Sequence, residues 1–187
     1  LEGAKLVGAN LNGTNLTGSN LTEANLFEAE LTDVNLFEAN LSHANLRRAN
    51  LNRANLTKAI LHEADLTEAN LNSAELSLAD LQGALMDSIS LIGINLKESN
   101  LSGCRMQNAN LVNASLIKAN LRNAILNGTD FTRANLSSAD LSGADLQGCN
   151  FTSANLEGAL VSEEALLHTA ALENAILPGG ERYHHQR

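Results

Sequence analysis

The chain has 187 residues, 44% of them apolar but only 3% aromatic, with no Trp, a formal net charge of −9 and a pI near 4.9. That length holds one ordinary domain, and its core must be built from Leu and Ala. The acidic balance argues against direct nucleic-acid binding, which needs a basic surface, and the lack of any 18-residue apolar run argues against membrane insertion.

From Leu1 onward one unit recurs. Leu stands at positions 1, 6, 11 and so on to 156, with Met86, Met106, Phe131 and Phe151 as its only replacements. Two residues earlier the site is small, mostly Ala, with Thr14, Ser19, Val34, Ile89, Ile94, Ser99, Cys104, Thr129 and Cys149 as exceptions. The site between is mostly Asn or Asp. The unit is A-[N/D]-L-x-x, unbroken to Leu156.

A period of five fits neither a helix at 3.6 nor a strand at 2. Ala and Leu, two apart, share one face of an extended segment. The next Ala, three beyond the Leu, stays on that face only if the chain turns a corner in each x-x. Eleven of the 13 glycines occupy the second x, among them Gly3, Gly8, Gly13 and Gly18, where a turn with positive φ suits Gly. A chain that turns inward once per repeat closes into a coil.

Coincidences twenty residues apart set the coil at four repeats: Met86 with Met106, Phe131 with Phe151, and outward Ile92 with Val112. The second x also gives rings of charge: Glu23, Glu28, Asp33 and Glu38, then His43, Arg48, Arg53 and Lys58, then Glu63 and Glu68. A twenty-residue coil stacks Glu28, Arg48 and Glu68 in one column.

With these A(D/N)LXX repeats, residues 1 to about 160 resemble the pentapeptide repeat protein family. The resemblance implies an all-β solenoid, a right-handed quadrilateral β-helix with four pentapeptides per coil and about eight coils. At the spacing of β-strands the rod is about 40 Å long.

The repeat domain is placed at 1–161. The period fails after it. Ser162 is a good N-cap, and Glu163 and Glu164 suit a first helical turn, so a short capping helix is expected over about 163–170. Residues 171–177 resume the motif one residue out of phase, completing a cap at 162–177, and Pro178-Gly179-Gly180 ends it. The tail 178–187 is read as disordered. A lid at this end is needed because a coil stack leaves an apolar disc and unpaired edges. The N-terminal layer of Leu1, Leu6, Leu11 and Leu16 shows no such lid. Either a cap has been removed or this end meets another copy.

No constellation for chemistry emerges. His62-Glu63 lacks a second His at metalloprotease spacing, and no GxSxG, P-loop or GxGxxG occurs. His43 is expected between Glu23 and Glu63 in a surface ladder. His184-His185 supplies too few ligands for a metal site. Cys104 and Cys149 form no CxxC pair, and their separation of 45 puts them on different faces. The many N-x-[ST] matches follow from the repeat itself. Phe27 and Phe37 point outward on opposite faces. No catalytic residue, metal or cofactor is expected.

What remains is a surface. Leu85, Ile92, Val112, Ile117 and Ile125 are apolar at outward positions, with Arg105 between Leu85 and Ile125 in one column. These six form the candidate partner surface. The expected function is a non-catalytic, rigid protein–protein interaction scaffold with one protein partner, or a homodimer through the uncapped N-terminal end or the apolar patch. The alternative is a DNA-mimicking inhibitor of DNA gyrase, since quinolone-resistance relatives in this family resemble B-DNA in width and charge. Arg47, Arg48, Arg53 and Lys58 interrupt the acidic columns that such mimicry needs. The ANL style resembles arrays abundant in cyanobacteria. The expected compartment is the cytoplasm, with periplasm and thylakoid lumen open because the chain starts inside the repeat.

Overall fold

The computed structural model describes residues 1–169 and 171–184. Parallel bridges join residues twenty apart, from Lys5 with Asn25 to Asp140 with Leu160. Each coil therefore holds four pentapeptides, and residues 1–160 make eight coils. Each repeat contributes only one bridged residue, because the chain turns immediately before and after it.

The corner is made the same way throughout. Every second turn residue from Gly3 to Gly158 has φ between 50° and 72°. Gly adopts this left-handed conformation freely, whereas a side chain there costs about 1 kcal/mol or more. Most corners are not Gly; Glu23, Arg48 and even Leu78 occupy them. The compensation is a hydrogen bond along the rod axis: Glu23 N–H donates to the Ser42 carbonyl at 2.8 Å, and Arg48 N–H to Thr67 at 3.1 Å. The Leu N–H does likewise, as from Leu46 to Asp65 at 2.8 Å.

Where Asn precedes the Leu it serves two purposes. Its Oδ1 accepts the N–H two residues on, as from Thr57 to Asn55 at 3.1 Å, which braces the corner. Its Nδ2 donates to the coil below, as from Asn55 to Asn35 Oδ1 at 3.1 Å. Asn can do both because it carries an acceptor and two donors.

The core is a dry stack of Leu and Ala. From Leu21 to Leu156 the inward Leu, Met and Phe residues are at most 2% exposed. The polar exceptions find carbonyls: Thr129 Oγ1 donates to Met106 O at 2.6 Å, and Ser99 Oγ to Leu96 O at 2.8 Å. In the first coil Leu6, Leu11 and Leu16 are only partly buried and Leu1 is 57% exposed.

At the other end, helix α1 spans Glu163–Leu167, shorter than the expected 163–170. Ser162 caps it by accepting the Ala165 N–H. It stops early because the His168 carbonyl is taken by Gly148 N–H at 3.0 Å, which returns the chain to the ladder. Ala170, inside the expected span, lies outside the described residues. Leu166, twenty beyond Leu146, is the helix residue buried in the core. The out-of-phase repeat follows, with bridges of Asn150 to Ala171 and Asn155 to Ile176, twenty-one residues apart.

The tail corrects one expectation. Residues 178–184 are ordered as a return strand: Arg182 pairs antiparallel with Ile176, and Tyr183 N–H donates to Ala175 O at 2.7 Å. Pro178-Gly179-Gly180 is the turn of that hairpin, with Gly180 at φ +88°. The pairing satisfies an edge that the coil stack leaves open. The rest of the tail, 185–187, lies outside the described residues.

Candidate interaction surface

The six candidate residues fall into three groups. Leu85, Arg105 and Ile125 are bridged in one column. Ile125 is 38% exposed and Leu85 half-buried, and Arg105 Nη2 lies 2.6 Å from Asp87 Oδ2. Ile92 and Val112 stack at a corner one face further round, joined through Gly93 N–H to Val112 O, with Ile92 53% exposed. Ser90 and Asn110 occupy the face between the two groups. Ile117 sits alone at the next corner. The structure thus brings together a trio and a pair on neighbouring parts of the rod, and separates Ile117 from both.

Charge is organised by pairing between coils. Arg48 lies between Glu28 at 2.7 Å and Glu68 at 3.7 Å. Arg53 grips Asp33 with two nitrogens, its Nε at 2.7 Å, and this holds the Asp33 carboxyl below the usual carboxylate range. Lys58 reaches Glu38 at 3.0 Å while lying 5.3 Å from the Phe37 ring centre. His43 pairs with Glu63 at 3.6 Å. All are half-exposed or more, so solvent screens them and each adds little to stability. The basic ring of coil 3 thus pairs with Glu28, Asp33 and Glu38 of coil 2 below and with Glu63 and Glu68 of coil 4 above.

Among the described residues, no three His, Cys, Asp or Glu side chains converge to hold a metal ion. Cys104 and Cys149 are free and buried. Burial pushes both thiols from an ordinary 9.0 up to about 12. A group kept neutral in the folded chain stabilises it fully below the unfolded value, and that contribution is lost as pH rises towards the folded value. The melting temperature is therefore expected to fall between pH 9 and pH 11. A Cys104→Ala, Cys149→Ala double variant should show a flatter alkaline limb in the same thermal scan.

Outward apolar residues outside the six candidates include Ile60, Leu78 and Leu160, at 37%, 47% and 58% exposure. At the C-terminal end a cleft of about 800 Å³ opens between α1 and the return strand, lined by Val161, Leu166, Leu172 and Tyr183 with Glu163 and Glu181 at its edge. The signal for it in the sequence was the loss of period after Leu156, which marks a change of packing but not a cavity.

The family model described as Pentapeptide repeats matches in 8 copies, the first over residues 1–33 and the last over 129–162. Among solved structures, the chain is 31% identical to HetL, a pentapeptide repeat protein involved in heterocyst differentiation regulation from the cyanobacterium Nostoc sp. strain PCC 7120. The match covers 98% of this chain and 89% of that one, with a TM-score of 0.43. A trypsin-treated variant of QnrB1, a plasmid-mediated fluoroquinolone resistance protein, matches at 16% identity over 91% and 86% of the two chains, TM-score 0.47. A thylakoid-lumen protein of Arabidopsis thaliana matches at 25% identity over 71% and 68%, TM-score 0.17. No functionally curated protein matches this chain.

Proposed function

The chain belongs to the pentapeptide repeat family, whose members form right-handed β-helices and are generally non-catalytic, and on that footing we propose that it is a non-enzymatic scaffold that acts by contact with a protein partner. We read its cross-section as quadrilateral, with α1 as the lid of the C-terminal end. The observation that carries the proposal is the interruption of an otherwise polar Asn ladder by apolar side chains on consecutive coils: Leu85 and Ile125 around Arg105, and Ile92 beneath Val112. On a surface built mostly of Asn, Ser, Thr and charges, with its other exposed apolar residues such as Ile60, Leu78 and Leu160 elsewhere in the chain, these positions offer apolar area to bury.

The test compares the intact chain with a Leu85→Glu, Ile92→Glu, Val112→Glu variant of verified fold as bait in its source lysate. A partner retained by the intact chain and lost from the variant is the expected result. A partner held equally by both moves the contact to another face. Gyrase inhibition is the weaker reading, because Arg48, Arg53 and Lys58 pair with the acids that would imitate phosphates. Supercoiling by gyrase is expected to be unchanged with excess protein; inhibition would favour DNA mimicry instead.

A further inference from the structure

Among the described residues, the hydrogen-bond ladder from coil 1 to coil 8 is continuous except at one place. Between coil 4 (61–80) and coil 5 (81–100), the bridge that would join Asn70 to Ser90 is absent, while its counterparts Asn50 to Asn70 and Ser90 to Asn110 are present. The backbone N–H groups of Glu68, Leu71 and Ser73 would donate upward to coil 5, and that of Ser90 downward to coil 4; none of the four has a partner among the described residues. One coil away the equivalent bonds form at ordinary lengths: Arg48 to Thr67 at 3.1 Å, Leu51 to Asn70 at 2.8 Å, Arg53 to Asn72 at 2.9 Å and Asn70 to Ala49 at 2.9 Å.

The opening is one-sided. On the opposite face Leu81 N–H reaches Asn100 O at 2.7 Å and Asn100 N–H reaches Ala79 O at 2.9 Å, reinforced by Asn100 Nδ2 on Asp80 Oδ1 at 2.8 Å. The two flanking faces are intermediate: Leu66 to Leu85 is 2.9 Å and Leu76 to Asn95 is 3.1 Å, where most such bonds are 2.8 Å. Spacing thus widens from the opposite face, through the flanks, to rupture. Asn72 and Ser90, at the rupture, are exposed, whereas Asn52, Asn50, Asn70 and Asn110 in the same columns are half-buried.

The cause lies in the core. Ile89 and Ile94 occupy consecutive sites that Ala fills in the coils on either side: Ala69 and Ala109 for the first, Ala74 and Ala114 for the second. Both isoleucines are 2% exposed, and the Ala beneath them, Ala69 and Ala74, are lifted to 7% and 5%. Their turns also stretch, to 3.3 Å from Ile89 to Met86 and 3.2 Å from Ile94 to Leu91, against about 3.0 Å at Ala. Overpacking of this kind is relieved by backbone shift. Val34, alone and one methylene smaller at a similar site, leaves its ladder intact, whereas here two larger side chains fall in adjacent repeats.

We infer that the rod is two half-rods joined by a hinge, in which Ile89 and Ile94 wedge open one face between coils 4 and 5 and the fully bonded opposite face acts as the pivot. This holds whatever the rod binds, and it places the one weak joint under Ile92. Unpaired edge amides exchange through local fluctuation, not global opening.

The test is amide hydrogen exchange followed residue by residue. Glu68, Leu71, Ser73 and Ser90 are expected to exchange on the order of 100-fold faster than Arg48, Leu51, Arg53 and Asn70. An Ile89→Ala, Ile94→Ala variant restores the consensus and should slow the four to the rate of their counterparts. Equal protection of both sets in the native chain would overturn the open seam. Fast exchange that persists in a folded double variant would overturn the wedge as its cause. Should that variant not fold, an Ile94→Ala single variant gives the same comparison, with partial protection expected and none counting against the wedge.

Discussion

Leu51→Asp is expected to abolish the cooperative fold of the central coils. Leu51 is fully buried, stacked in one inward column with Leu31 and Leu71, each 1% exposed. An aspartate there meets only aliphatic side chains, and the backbone groups of its own repeat are already bonded, as from Leu51 N–H to Asn70 O at 2.8 Å. An unpaired buried carboxyl costs several kcal/mol even after it takes up a proton, about 4 or more, against a total stability of about 5–15 kcal/mol for a domain. A solenoid is held by nearest-neighbour contacts, so the damage should centre on coils 2 to 4. Circular dichroism should show a melt lowered by tens of degrees or absent, and limited proteolysis should cut near residues 40–60. Leu51→Met, which keeps the volume, is the control and should cost under about 1.5 kcal/mol. A Leu51→Asp melt within a few degrees of the parent would mean that the column is wet.

Phe151→Ala should cost about 3–5 kcal/mol, the range for deleting a fully buried ring. Phe151 and Phe131 are both 0% exposed and stacked, with centroids 5.0 Å apart and ring planes 4° from parallel. No other pair in the core fills two successive coils with aromatic volume. Its loss leaves a cavity beneath the out-of-phase repeat, whose Ala171 carbonyl accepts the Phe151 N–H at 2.8 Å. Denaturant unfolding should show the loss, with residues beyond 156 releasing first. A double-mutant cycle with Phe131→Ala should return a coupling of about 0.5–1.5 kcal/mol. Strictly additive losses would show that the rings fill space without interacting.

The coil was legible because each of its rules is local and repeated. Five-residue spacing, Gly at the second turn position and pairs twenty apart each constrain one corner, and thirty-two copies leave little room for another backbone. The double use of Asn was only half legible: ladders between coils follow from stacking, whereas the brace on the N–H two residues on depends on the corner's shape. The seam escaped because Ile89 and Ile94, one at a time, exceed Val34 by only a methylene. Their effect arises from summed volume in adjacent repeats, which position-by-position reasoning does not weigh. The return strand at Arg182 escaped for another reason. Pro178-Gly179-Gly180 marks both a chain end and a hairpin, and what distinguishes them is an open edge beside it. The candidate surface was legible as columns, since numbers twenty apart give height along the axis. Its division into a trio, a pair and a single residue depends on corners that hide one face from the next.

Because four repeats close one coil, gaining or losing a single pentapeptide amounts to a quarter rotation of everything that follows. The interior would not register the change, since Leu would still meet Leu and Ala still meet Ala. The charged rings would hardly register it either: after such a slip Arg48 would stand over another acid of the same ring, Glu23 or Asp33 in place of Glu28. Single columns have no such tolerance: a change between Leu85 and Ile125 would set part of that column a quarter turn from the rest, and one between Phe131 and Phe151 would part the two rings. Unequal recombination can therefore lengthen or shorten this chain in steps of five without loss of folding, but only in steps of twenty without redrawing the face it presents.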